Sequence, residues 1–354
     1  MKDNVKVVQY GCGKMSVFTM RYLIDNGYHI IGAFDINPKI IGLDIGDIIG
    51  SDKKGISVKE ASEVEEFFKE NKPDVCVVTT MSLFKDIKDI LLLCAKYGVN
   101  AITTCEEAFY PFNSSPSLTK EIDELAKKND CTITGTGYQD ASWGNLISTI
   151  VGTSHKVVKI KGSSSYNVED YGIALAKAHG AGLTKEEFER DIASSDNISE
   201  EERNSLIQKG EFLPSYMWNV NGWLCDKLNF HVISQEQKCI PIIADDSISS
   251  STLNMTIEKG MVRGMSALVI TKTKEGVTLE TECIGKVYTK AEFDSNNWEV
   301  LGEPNTNMII NRPDTVSLTC AALVNRIDDL LRSESGFVPT SRMGELENKN
   351  LFIK

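Results

Sequence analysis

From residue 5 to about residue 135 the chain alternates short β-branched runs with segments of helical periodicity, and few folds tolerate that grammar. The runs Val5–Tyr10, His29–Asp35, Val75–Thr80, Asn100–Thr104 and Thr132–Gly135 read as strands. Between them, "MSVFTMRYLIDNG", "SEVEEFFKENKPD", "LFKDIKDILLLCAKYG" and "SLTKEIDELAKKND" carry apolar residues at helical spacing. A helix between successive strands implies right-handed crossovers and so a parallel sheet. Runs such as "VCVVTT" and "HIIGAF" are apolar on both faces, as a sheet covered by helices on both sides requires. The expected fold class is α/β, with a Rossmann-type doubly wound parallel sheet over residues 1–140.

Beyond about residue 140 the pattern changes. "KVVKIKGSSSY", "SALVITKTKEGVTLETECIG" and "NMIIN" read as longer strands, the middle one a hairpin across "KEG". "TKEEFERDI" and "SEEERNSLIQKG" read as polar helices opened by Thr or Ser caps with Glu close behind. This predicts a second, α+β domain with a mixed sheet over residues 141–310. The segment 311–354 begins with an amphipathic helix, "RPDTVSLTCAALVNRIDDLLRS", expected to pack back on the first domain with Pro313 in its first turn.

The first strand ends in "GCGKMS". Gly11 and Gly13 permit a tight turn and close approach of a pyrophosphate, with Ser16 at the usual third-glycine position. Cys12, Lys14 and Met15 complete the turn and open the helix. Asp35 closes the second strand at about the ~20-residue spacing of an acid that holds the adenine ribose hydroxyls. That acid favours NAD over NADP, because a carboxylate repels a 2′-phosphate; Lys39 offsets the repulsion and leaves NADP open. Ligands of such sheets bind beyond the carboxyl ends of the strands, which brings in Thr79, Thr80, Met81 and Thr104 beside the nicotinamide.

The fourth of these runs stops at an acid pair, Glu106 and Glu107, in "ITTCEEAF". Adjacent residues do not face one target on a strand or a helix, so one acid can serve chemistry while the other caps or salts the next turn. A carboxylate at the cofactor edge, partly desolvated, has a raised pKa suited to general base work.

The formal net charge of −12, from 38 basic and 50 acidic residues, argues against nucleic acid or an anionic membrane as partner. Nine scattered cysteines without a C-x-x-C pair argue against a metal cluster or a disulfide framework, and fit a reducing cytoplasm. The amino-terminal segment reads directly into a strand without a cleavable apolar stretch.

Beyond these patterns, "GCGKMS", "AFDINPKIIGLDIGDIIG", "AITTCEEAFYP", "TITGTGYQDASWGN", "SSYNVEDYGIALAKAHGAGLTKEEF", "FLPSYMWNVNGW" and "NRPDTVSLTCAALVNRI" resemble the 2,4-diaminopentanoate dehydrogenases over nearly the whole chain. That family sits with the dihydrodipicolinate-reductase-like proteins and is related to the native amine dehydrogenases. The resemblance implies NAD(P)-dependent oxidative deamination of 2,4-diaminopentanoate to 2-amino-4-oxopentanoate and ammonia, in ornithine fermentation. It also implies a homodimer, with residues 141–310 as the substrate and dimerisation domain. The catalytic base falls on Glu106 or Glu107, with Glu106 favoured and the strand's end deciding.

A substrate with two amines and a carboxylate calls for acids plus a donor. Tyr138, Gln139, Asp140 and Trp143 leave the last strand of the first domain. Asn167 and Tyr171, with Glu169 and Asp170, come from the second. The aromatics of "YMWNVNGW" are candidates to exclude water. His179 is the histidine best suited to a carboxylate or cofactor contact, and Arg263 and Arg312 are further carboxylate partners.

Two other chemistries compete. Cys105 as a nucleophile would want a neighbouring His or helix N-terminus, and two adjacent glutamates raise its pKa instead. A dihydrodipicolinate reductase proper would show paired histidines, whereas His29, His155, His179 and His231 stand apart. A non-catalytic NAD-binding protein, or an amine dehydrogenase of other substrate range, are the remaining alternatives.

Overall fold

The computed structural model describes residues 5–348. Two compact units divide the chain: Met1–Leu146 with Asp314–Lys354, and Ile147–Pro313 between them.

In the first unit, strands β1 (Lys6–Tyr10), β2 (His29–Asp35), β3 (Val58–Glu60), β4 (Val75–Val78), β5 (Asn100–Thr103) and β6 (Thr132–Gly135) form a sheet in the order 3-2-1-4-5-6. A short strand, Gly336–Phe337, adds to the outer edge of β6. All these pairings are parallel. The order reverses at β1 and β4, which is where this architecture binds dinucleotides. β3 and Gly336–Phe337 are too short to carry a legible period in sequence, and both were absent from the expected strands.

The period of two in each strand divides the core. Val8, Cys76, Val78, Ala101 and Ile133 turn to one face, against Leu91, Cys94 and Ile122. Val7, Val75, Val77 and Ile102 turn to the other, against Met20 and Leu23 of the helix Lys14–Asp25 and Leu323, Val324, Ile327 and Leu330 of the last helix, Thr315–Leu330. The last helix therefore covers one face of this sheet. Its cap is Asp314, whose side chain accepts from Ser317 N at 3.0 Å. Pro313 consequently lies before the cap and outside the first turn.

The second unit is built on a six-stranded mixed sheet. Its strands are β7 (Lys156–Asn167), β8 (Val232–Ile243), β11 (Val262–Thr273), β12 (Thr278–Lys286), β13 (Ser295–Glu303) and β14 (Thr306–Asn311), in the order 14-13-7-12-11-8. Only β7 and β12 run parallel. A separate two-stranded ribbon, β9 (Ile248–Ser250) with β10 (Met255–Ile257), stands outside the sheet. The helix Tyr216–Leu228 packs on the sheet, and its buried Asn221 donates to Thr271 Oγ1 (3.0 Å) and accepts from Thr281 Oγ1 (2.8 Å). Of the "YMWNVNGW" aromatics, Trp218 and Trp223 are buried in the core, whereas Tyr216 at the start of the helix is exposed. Gly162 makes room for the Trp298 ring, which an added Cβ would approach to 2.6 Å. Among the described residues no helix is long and apolar enough to cross a membrane.

Candidate active site

The glycine turn follows β1 without a break. Gly11 adopts φ +88°, a left-handed conformation, and an added Cβ would meet Thr80 Cγ2 at 2.5 Å and Thr79 O at 2.8 Å. Only glycine meets both conditions. Gly13 differs: an added Cβ would find nothing within 4 Å, and the residue caps the helix Lys14–Asp25 without a side-chain hydrogen bond. Lys14 is exposed and Met15 half-buried in the first turn. Ser16 closes that turn internally, its Oγ donating to Gly13 O at 2.7 Å.

Below the turn lies a buried polar clasp that sequence reasoning missed. Gln9 is fully buried, and its Nε2 donates to Gly11 O and Thr79 Oγ1, both at 2.8 Å. Thr79 Oγ1 in turn donates to Gly11 O at 2.9 Å. A polar residue inside "VVQYG" was the available signal. The clasp fixes the turn to the end of β4 across the switch point. Thr80 and Met81 are exposed at the same edge, and Thr104, half-buried, donates from its N to Val78 O at 3.2 Å.

Asp35 turns back toward the glycine turn. One carboxylate oxygen accepts from Cys12 N and the other from Asn37 N at 2.7 Å. Cys12 itself is buried, and burial pushes its thiol up to about 12, so it fills space and is no nucleophile. A dinucleotide fits this arrangement: an unobstructed approach at Gly13, amides of an uncapped helix start for its phosphates, and an acid at the end of β2 for a ribose.

The acid pair resolves into two different environments. β5 ends at Thr103, and Glu106 already has helical backbone (φ −62°, ψ −40°) as it enters the 3₁₀ turn Glu107–Phe109. Glu107 is buried, and both its oxygens are occupied: Oε2 accepts from Phe84 N, and Oε1 from Ser114 Oγ and Ser115 Oγ, each at 2.7 Å. It pins three loops together, so its expected candidacy as base is corrected to a structural role. Glu106 keeps some exposed surface but is densely surrounded. Burial raises its pKa, against a smaller opposing pull from a Ser82 hydrogen bond. Cys105 is fully buried, donates to Ser82 O at 3.1 Å, and is pushed well above the ordinary thiol range by burial, which removes the nucleophile reading.

Residues 139–145, which follow β6, form a π-helical segment. Such i→i+5 turns are rare and concentrate at functional sites. Tyr138 and Trp143 are buried and pack edge to face at 5.6 Å, with Gln139 buried beside them. Asp140 is fully buried and paired with the equally buried Arg326, which takes it out of the substrate pocket where it was expected.

In the second unit, Asn167 caps the short turn Val168–Tyr171 with its side chain, accepting from Glu169 N. Tyr171 is exposed and stands edge-on to Tyr166. His179 is buried with both ring nitrogens engaged, Nδ1 with Leu175 O at 2.9 Å and Nε2 with the Tyr166 hydroxyl at 2.7 Å. The carbonyl can only accept, so Nδ1 carries the proton and Nε2 accepts from Tyr166. Burial lowers the pKa of His179 and holds it neutral. The expected contact to a carboxylate is therefore corrected to a structural one. No group of three or more His, Cys, Asp or Glu suited to a metal occurs among the described residues.

No protein-family model matches the chain. It is 33% identical to the amine dehydrogenase from Mycobacterium smegmatis, whose solved structure covers 99% of this chain with 98% of its own at a TM-score of 0.82. It is 27% identical over 192 residues to the 2,4-diaminopentanoate dehydrogenase of Acetoanaerobium sticklandii, and spans about half (54%) of that curated relative's length. An oxidoreductase from Agrobacterium radiobacter, solved with NAD+, L-tartaric acid and magnesium, shares the fold at 14% identity and a TM-score of 0.55, covering 98% of this chain and 93% of its own.

Proposed function

The chain belongs to the amine dehydrogenase family, and from that premise we propose that it oxidatively deaminates 2,4-diaminopentanoate at C4, with Glu106 as the base. The observation that carries the base assignment is the contrast within the acid pair: Glu107 is saturated with donors, while Glu106 has a raised pKa and accessible surface. The substrate assignment is supported by the partial match to the diaminopentanoate enzyme.

The chemistry sets three demands on the chain. A substrate ammonium has no lone pair to expel a hydride, so a base must first take a proton from nitrogen. Glu106, partly desolvated and with its pKa raised by burial, suits that step. A bound nicotinamide dinucleotide, NAD or NADP, supplies the hydride acceptor. The resulting substrate iminium needs water, and after passing on its proton the same carboxylate deprotonates the water that attacks carbon. The carbinolamine then collapses to ketone and ammonium. One substrate ammonium, one oxidised dinucleotide and one water give ketone, ammonium, reduced dinucleotide and one proton. For the dinucleotide, the acid at Asp35 favours NAD, and the exposed Lys39 leaves room for NADP.

The test is release of ammonia and reduced dinucleotide across a panel of diamino acids, in wild type, Glu106→Gln and Glu107→Gln. Glu106→Gln is expected to lose about 10²- to 10⁴-fold in kcat with dinucleotide binding retained. Wild-type turnover by Glu106→Gln would overturn the assignment.

A further inference from the structure

We propose that a cleft of about 460 Å³ in the second unit binds the zwitterionic end of an amino acid, with Arg312 taking its carboxylate and Asp170 and Asp294 its ammonium. The cleft opens between Asn167 at the end of β7, the loop from Tyr288 to Asp294, and Arg312 after β14.

Its charges are held apart. The third acid on the wall, Glu292, is fully used: Arg263 and Lys286 each reach it at 2.7 Å. Arg263 is thereby removed from the possible carboxylate partners. Among the described residues no cation lies within salt-bridge distance of Asp170 or Asp294, and no carboxylate lies within that distance of Arg312. Asp294 is positioned by the backbone amide of Asn167, which donates to its carboxylate at 3.2 Å. Arg312 is kept from the acids because its guanidinium lies over the Phe293 ring, 4.5 Å from the centroid. Stacking leaves the in-plane N–H donors of a guanidinium free for a carboxylate.

The backbone adds an independent sign. Arg312 adopts φ +52°, a conformation uncommon for a residue with a side chain, and its N donates to Asp294 O at 2.8 Å. Strain of this kind persists where surrounding structure over-determines it, and it clusters at ligand clamps. Here it ties the backbone of the cation to that of one of the acids lining the same cleft. Uncompensated charges of both signs on one cleft complement a molecule that carries both a carboxylate and an ammonium. Tyr288 and Phe293 offer apolar contact to its carbon chain. Lys290 adds positive charge at the exposed rim.

The zwitterion has two sources, the carboxylate end of 2,4-diaminopentanoate or a separate amino acid; the first rests on the proposed deaminase reading. The full chain is assayed with 2,4-diaminopentanoate and with sec-butylamine, which lacks the carboxylate. Binding of norvaline, an amino acid without a second amine, is followed by calorimetry. Arg312→Gln is expected to weaken norvaline binding by roughly 10- to 100-fold, as loss of charged hydrogen bonds does. Asp170→Asn, at an exposed position, is expected to weaken it in the same direction without touching the fold. If the cleft holds the substrate's own end, KM for 2,4-diaminopentanoate rises by the same factor while KM for sec-butylamine and both kcat values hold. If norvaline binding is lost and both KM values hold, the zwitterion is a separate molecule. Absence of norvaline binding in wild type, or equal binding in wild type and both variants, overturns the proposal. A wild type that oxidises neither amine refutes the deaminase reading instead, and the calorimetry still decides the cleft.

Discussion

Replacing Arg326 by Met tests the strongest ionic commitment in the first unit. Arg326 and Asp140 are both fully buried. The guanidinium donates to Asp140 Oδ2 (2.8 Å) and Oδ1 (3.2 Å), to Asp329 Oδ2 (3.1 Å) and to Gly344 O (2.6 Å). Asp140 also accepts from Thr136 Oγ1 (2.9 Å) and Asn145 Nδ2 (2.7 Å). Arg326→Met strands a carboxylate with two neutral donors and no cation, so the cost should be about 3–5 kcal/mol. That is roughly two to more than three orders of magnitude in the folding equilibrium. Asp140→Asn should cost less, because Arg326 retains Asp329 and the Gly344 carbonyl. The double replacement Arg326→Met with Asp140→Leu should recover part of the loss, since removing both charges removes the uncompensated one. With two units, a single unfolding midpoint is ambiguous. Hydrogen exchange at the amides of β1, β4 and β5 reports the first unit's opening free energy directly. A loss below about 1 kcal/mol for Arg326→Met would refute the reasoning, because it would mean the buried carboxylate finds other compensation.

The two glycines of the turn should separate stability from binding. Gly11→Ala meets Thr80 and Thr79 at a left-handed φ and should cost about 1–3 kcal/mol, read as a lower melting temperature. Gly13→Ala meets no protein atom, so stability should stay within about 0.5 kcal/mol while dinucleotide affinity, measured by NADH fluorescence, falls. Glu107→Gln presents an amide to three donors and should lower stability by about 1–3 kcal/mol, with activity per folded molecule retained. The kcat/KM for deamination should rise with pH through a Glu106 pKa above the ordinary 4.5, since the ionised form is the base. A raised acid makes the opposite contribution to folding: stability from protonated Glu106 is present below 4.5 and lost as pH climbs through the raised value, and Glu106→Gln should abolish that slope in pH-dependent unfolding.

The first unit was largely legible because two-faced burial forces continuous apolar runs, and "VCVV" is buried at all four positions. The second unit hid more. β8 contains "SQEQK" and Pro241 because it lies at the sheet edge, where strand propensity matters least. β13 opens with Ser295–Asn296–Asn297 and is held by pairing on both sides and by Trp298 lying over Gly162. Neither reason is local, so neither leaves a period to read. The π-helical segment was equally invisible, since apolar spacing does not distinguish one helical turn from another over seven residues. Strand parity could not choose between Glu106 and Glu107 because β5 ends at Thr103 and the pair lies in a turn. What separates them is the supply of donors. Ser114, Ser115 and the Phe84 amide converge on Glu107 and satisfy its charge, whereas Glu106 is densely packed with Ser82 as a weaker counterweight. Two carboxylates one peptide apart thus diverge into a structural anion and a candidate base, and those donors come from loops that only the folded sheet brings to β5.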